Sequence, residues 1–198
     1  MKSFIGTVAM ILAFTLIIAV IPTETEARIY DDTVRLHILA RSDSDDDQRV
    51  KLEIRDRILE KYSHTLSKYT SAEDARGDLE EKCEEIRVSV DEWLRELGCD
   101  YTAEVVINKE WYDTRVYEDF TLPKGEYVSL RIMLGGGEGE NWWCVMFPPM
   151  CLGASVDGGE TSYSDSEVKL IKNSGSYKVK FKLLELASSA IKKLFGKG

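Results

Sequence analysis

Two cysteines, Cys144 and Cys151, sit in the least ordinary stretch of the chain, Asn141-Trp142-Trp143-Cys144-Val145-Met146-Phe147-Pro148-Pro149-Met150-Cys151. A thiol becomes a nucleophile only with a base beside it, and the chain has two histidines, His37 and His64. The covalent chemistry these residues allow is therefore Cys144 or Cys151 as nucleophile with His37 as base, the reading of a secreted cysteine-dependent hydrolase. Other chemistries fail on spacing. No histidine stands at zinc-ligand distance from a cysteine or glutamate, and no Gly-x-Ser-x-Gly elbow is present. The run Gly135-Gly136-Gly137-Glu138-Gly139-Glu140 lacks a following Lys-Ser/Thr, and its two glutamates would repel phosphate, so it reads as a connection between strands. Asp43-x-Asp45-x-Asp47 opens like a calcium loop, but Gln48 stands where glycine is required and Ile54 where glutamate is required. No metal, cofactor or small-molecule substrate is expected.

The compartment weighs against a catalytic thiol. Lys2 precedes an uncharged, apolar run from Phe4 to Ile21, and Thr25-Glu26-Ala27 offers a small-residue cleavage site. Residues 1–27 are thus an export signal, cleaved or kept as an anchor, since about 18 apolar residues also suffice to span a bilayer. Outside the cytoplasm a thiol is more readily oxidised than catalytic. Cys144 and Cys151 enclose six residues, a span of ~23 Å when extended, against ~5.5 Å between the Cα atoms of bridged cysteines. A bridge requires the chain to double back at Phe147-Pro148-Pro149-Met150, where the prolines favour a turn. The expectation is a small disulfide loop presenting Phe147 and Met150; the alternative is two reduced, buried thiols.

The net charge of −9 and pI near 4.9 argue against a general nucleic-acid binder. Thr33 to Ala40 alternates as a strand, with Val34, Leu36 and Ile38 on one face and Arg35 and His37 on the other. Ser44 then caps a helix to about Tyr62, whose opening acids complement its positive end. Ser71 caps a second helix, Ala72 to Leu97, and Gly98 stands at its left-handed end. Strand patterns follow at 101–108, 113–120 and 127–134, then the tryptophan stretch. There Trp142, Cys144 and Met146 share one face and Trp143, Val145 and Phe147 the other, as in a strand covered on both sides. Residues 153–176 read as a flexible loop or linker. Residues 177–198 read as a basic amphipathic helix that packs on the domain, or contacts a membrane surface or acidic partner. Helices and strands in separate blocks argue for an α+β fold: one domain over 28–152, with a mixed or antiparallel sheet packed by two long helices.

Arg35-Leu36-His37-Ile38-Leu39-Ala40-Arg41-Ser42-Asp43-Ser44, then Asp47-Gln48 and Lys51-Leu52-Glu53-Ile54-Arg55-Asp56, resembles the opening of the stage II sporulation protein R family. Downstream, Thr114-Arg115-Val116-Tyr117, Leu122-Pro123-Lys124-Gly125-Glu126-Tyr127 and Gly139-Glu140-Asn141 through Cys151 agree in order. The resemblance implies a non-enzymatic signalling protein, exported into the space between forespore and mother cell. Its implied partner is the extracytoplasmic part of a membrane-bound sporulation aspartic protease, which processes the sigma-E precursor. No catalytic residue carries over. Aromatic anchors concentrate interface energy, so Trp142, Trp143, Phe147, Pro148, Pro149 and Met150 are the candidate contact, with burial in the core as the alternative.

Overall fold

The strand of His37 and the tryptophan strand lie side by side at one border of a four-stranded sheet. The computed structural model describes residues 23–117, 120–150 and 163–172, together with 6–7, 10–11 and 14. In chain order the elements are α1 (Glu24–Asp31), β1 (Val34–Leu39), α2 (Asp45–Leu66), α3 (Ala72–Glu81), α4 (Cys83–Glu96), β2 (Ala103–Tyr112), β3 (Arg115–Val116), β4 (Thr121–Leu122), β5 (Gly125–Leu134), β6 (Asn141–Phe147) and α5 (Asp165–Lys172). The fold is α+β. Cys151 and the C-terminal stretch 177–198 fall outside the described residues, as do most of residues 1–22, where the sequence reads as an export signal. Among those described, no helix is long and apolar enough to cross a membrane.

Contacts divide the chain into two compact units. The larger, Arg28–Asp113 with Lys124–Ser164, holds the sheet in the order β2-β5-β1-β6. Strands β1 and β5 run parallel, whereas β2 pairs with β5 and β6 with β1 antiparallel. The sheet is therefore mixed. Its helix-covered face joins Val34, Leu36, Ile38, Val105, Leu130, Ile132 and Cys144 to Val50, Ile54, Ile58, Leu79, Ile86, Val90 and Leu94 in one core. Burying each such aliphatic side chain contributes about 1.5–3 kcal/mol, and this stripe is what seats the helices.

The helix ends follow the expected chemistry, with one difference. Ser44 Oγ accepts from Asp47 N–H (3.2 Å) and Ser71 Oγ from Asp74 N–H (3.1 Å), satisfying amides at the two N-termini. Gly98, at φ 78°, ends α4 in the left-handed region that a side chain would disfavour. The single helix expected over 72–97 is instead two, divided at Lys82, whose φ of −90° and ψ of 1° leave the α region. The Lys82 N–H still donates to Asp78 O (3.0 Å) and its carbonyl accepts from Ile86 N–H (2.8 Å), so the junction is hydrogen-bonded on both sides. Helix α4 also guards the outer edge of β2. Asp91 Oδ1 accepts from Ala103 N–H (2.8 Å), and Cys83 Sγ donates to Val105 O (3.3 Å). Edge groups closed by side chains are not open to another strand.

The smaller unit contains the β3–β4 pair, with Arg115 opposite Leu122, and helix α5. Tyr117 and Phe120 stack at 4.5 Å across the connection of that pair. Within the stretch 153–176, expected to be a flexible loop or linker, Asp165–Lys172 instead form helix α5. Asp165 and Glu167 in its first turn and Lys169 and Lys172 in its last suit the helix dipole, and Ile171 is buried. Eight residues with two acids and two lysines carry too short a period to stand out from polar neighbours.

Candidate functional site

Alternation along β1 sends Arg35 and His37 away from the helices, onto the sheet's second face. The strand registers bring Glu110 and Tyr112 of β2, Tyr127, Ser129 and Arg131 of β5, and Trp143 and Val145 of β6 to the same side. One row runs Val106, Arg131, His37, Trp143 across all four strands. A sheet face filled with ionisable and aromatic groups needs each polar atom answered, and here the partners are the neighbours in the register.

Glu110 is the hub. Its Oε2 lies 2.9 Å from His37 Nδ1 and accepts from the Tyr112 hydroxyl at 3.0 Å, while Oε1 lies 3.5 Å from Arg131 Nη1. Burial pushes the Glu110 carboxyl upward, but the hydrogen bonds from His37 and Tyr112 and the Arg131 charge outweigh it, so the group is held below the ordinary glutamate range. Tyr112 is itself raised by burial, and its hydroxyl lies 2.7 Å from Ser129 Oγ. The Arg35 guanidinium, fully buried, stands over the Tyr112 ring at 3.9 Å and the Tyr127 ring at 5.2 Å. Desolvated cation–π contacts of this kind are worth about 2 kcal/mol. On the other side His37 Nε2 meets Asn141 Oδ1 at 2.7 Å, and the imidazole stacks on Trp143 with centroids 5.7 Å apart.

A second cluster closes the end of the sheet where β1 leads into α2 and β5 into β6. Gly139 N–H donates to Ala40 O (2.9 Å) and Glu140 N–H to Asp43 Oδ1 (2.7 Å). Lys51, nearly fully buried, donates to Glu140 O (3.0 Å) and to Gln48 Oε1, and Gln48 Nε2 donates to Ser42 O (2.9 Å). Burial draws the Lys51 ammonium below the ordinary lysine range, against the pull of Glu140 and Asp43. At Gly139 a Cβ would run into the Ser42 carbonyl, so only glycine lets these two turns approach so closely. The arrangement is a clasp.

The tryptophan strand divides between exposure and core. Trp142 and Trp143 are half-buried, as is Met150, while Phe147, Pro148 and Pro149 are buried. The Phe147–Pro148 peptide bond is cis. Trp142 points to the helix side, where Arg55 stands over its ring at 4.5 Å. Of the six candidate contact residues, Trp142, Trp143 and Met150 keep part of their surface exposed. Cys144 and His37 do not meet. The register sets Leu36 opposite Cys144 and Trp143 opposite His37, which puts the Cys144 sulfur in the helix-side core and the imidazole on the other face. A Cys144–His37 catalytic pair is excluded by that alternation. Cys83 and Cys99 carry free thiols, and burial raises that of Cys83, as expected of an inert core cysteine. Among the described residues no group of three or more His, Cys, Asp and Glu is placed to hold a metal ion.

The family model of stage II sporulation protein R matches residues 30–157, well over half of the chain. The chain belongs to that family. Stage II sporulation protein R of Bacillus subtilis (strain 168) is 40% identical over 123 residues, which cover 62% of this chain and 55% of that protein. The chain therefore spans about half the length of the curated relative it matches. No solved structure matches. The residues that suggested the family now have structural roles. Ser42, Asp43, Gln48, Lys51, Gly139 and Glu140 make the clasp, and Arg35, His37, Asn141 and Trp143 belong to the second-face cluster.

Glu110, Tyr112, Tyr127, Ser129 and Arg131 were not foreseen as site residues. The signal available for them was polar and aromatic residues at alternate positions of β2 and β5, on the side opposite the aliphatic ones. That pattern also describes an ordinary solvated sheet face, and only the register shows that these positions converge.

Proposed function

We propose that this chain is an exported signalling protein of sporulation. It acts between forespore and mother cell by binding the extracytoplasmic part of a membrane-bound aspartic protease, whose activity leads to processing of the sigma-E precursor. A binding protein of this kind activates by engaging the protease's active arrangement more tightly than its inactive one. The observation that carries the reading is membership of the stage II sporulation protein R family, with the apolar N-terminal segment in support. The contact we assign is the half-buried aromatic end of β6, Trp142 and Trp143 with Met150. Phe147, Pro148 and Pro149 shape it from beneath. A Cys144–Cys151 bridge would hold that turn closed in the oxidising space, and it is part of the same proposal.

The test is co-purification of the tagged chain with the extracytoplasmic part of the candidate protease, alongside processing of the sigma-E precursor in sporulating cells. The wild-type chain should retain the protease, and Trp143→Ala should weaken retention about tenfold or more if it is an anchor of the contact. Processing by the variant should fall in parallel. A well-folded wild-type chain that fails to retain the protease would sink the reading.

A further inference from the structure

The two oxygens that face the His37 ring set a condition that a neutral imidazole cannot meet. Glu110 Oε2 stands 2.9 Å from Nδ1, and Asn141 Oδ1 stands 2.7 Å from Nε2. An ionised carboxylate only accepts, and so does an amide oxygen. A neutral imidazole has one N–H donor and one lone pair, so it can satisfy one of these partners and must turn a lone pair toward the other. The imidazolium has two donors and satisfies both. It also suits the third neighbour, because the ring stacks on Trp143 and an indole face attracts a cation.

We propose that His37 is a proton-dependent clamp that ties β6 to β2 across the second face of the sheet, closed when the ring is charged and opened on the β6 side when it is neutral. The charged and titratable groups around it come from every neighbouring strand. Glu110 and Tyr112 face it from β2, with the Tyr112 ring 6.3 Å away, and Arg131 reaches Glu110 from β5. Asn141 and Trp143 face it from β6, and Arg35 shares its own strand and face. Arg131 opposes the imidazolium and Glu110 favours it. Glu110 makes the direct contact, with both side chains nearly buried (12% and 13% exposed).

When the proton leaves, the two contacts do not fare alike. The bond from Nδ1–H to Glu110 is charge-assisted and largely desolvated, so it is the one retained. The proton therefore comes off Nε2, whose partner Asn141 is exposed and can turn its amide into water at little cost. The stack on Trp143 loses its cationic component in the same step. If Trp143 belongs to the contact assigned under the proposed function, that contact is tightened by acid. The clamp itself does not depend on that assignment.

The experiment follows the two ring nitrogens of His37 by nitrogen-15 NMR from roughly pH 5 to 8. A His64→Gln background leaves one histidine to observe. At the acid end both nitrogens should carry protons. As pH rises, Nε2 should move to the unprotonated position while Nδ1 keeps its proton, and the Asn141 side-chain amide and Trp143 indole signals should shift with the same midpoint. Asn141→Asp places a second acceptor charge on Nε2 and should raise the midpoint by about one pH unit. A ring that stays in one state throughout the range overturns the proposal. So does a neutral ring that accepts at Nε2 from the Asn141 amide nitrogen, or an Asn141→Asp variant with an unmoved midpoint. The bound fraction of protease as a function of pH is a separate measurement, and its failure leaves the clamp standing if the NMR midpoints agree.

Discussion

The two faces of one sheet are built from the same strands and held by different physics. On the helix side, Leu36, Ile38, Leu130 and Ile132 meet the stripes of α2, α3 and α4, and the attraction is non-directional burial. On the other side, one residue along each strand, Arg35, His37, Ser129 and Arg131 meet Glu110, Tyr112 and Trp143 in contacts that each require a stated partner and angle. An apolar face tolerates exchange of similar volumes, whereas a polar network loses most when one member leaves the others unanswered. The clasp at the sheet's end belongs to the second kind.

The contrast can be broken most directly at Leu36. Leu36→Ala removes a fully buried side chain from the helix-side core and should cost about 2–5 kcal/mol in denaturant unfolding, with no change in the pH profile. A pH-dependent loss at this position would mean that the two faces are coupled through the backbone of β1.

Glu110→Gln should cost less, about 2 kcal/mol, the scale of a lost hydrogen bond to a charged group, and its loss should depend on pH. The Glu110 carboxyl is held below its ordinary range in the fold. Its contribution is therefore complete above the unfolded value of about 4.3 and fades as pH falls through the lower folded value. Wild type and variant should converge in stability toward acid and separate toward neutrality. A gap that is flat from acid to neutral pH would show that the carboxylate's charge is not what holds the second face together.

Much of the helix-side architecture was legible in the sequence, because aliphatic periodicity reports burial directly. The strand of Val34, Leu36 and Ile38, the caps at Ser44 and Ser71 and the stop at Gly98 are all local facts. The second face was not legible, because His37 and Glu110 lie 73 positions apart and only the β1–β5–β2 register makes them neighbours. The break at Lys82 escaped notice for the opposite reason. The stripe of Leu79, Ile86, Val90 and Leu94 continues across it, and no glycine or proline marks it. The tryptophan stretch stands out in the sequence, yet its alternation does not tell which side faces the helices, so Cys144 and His37 look like potential partners until β6 is seen to lie beside β1.

Trp111 gives the smallest and sharpest test of what a face means. By alternation it belongs to the helix side, in line with Val105 and Ile107, and a tryptophan there reads as core. Yet Val105 is 7% exposed and Trp111 is 68% exposed, because the cover provided by α4 reaches Ala103 and Val105 and stops short of the strand's far end. Lys109, between them on the same face, marks the transition with an ion pair to Glu126 at 4.0 Å, largely in solvent. An exposed aromatic contributes little when truncated, so Trp111→Ser should change stability by less than about 0.5 kcal/mol. A cost approaching that of Leu36→Ala would mean that the ring is covered in the folded protein, and that the hydrophobic side of the sheet extends beyond the helices. The expected near-silence instead limits the burial-driven face to the part of the sheet that α2, α3 and α4 cover.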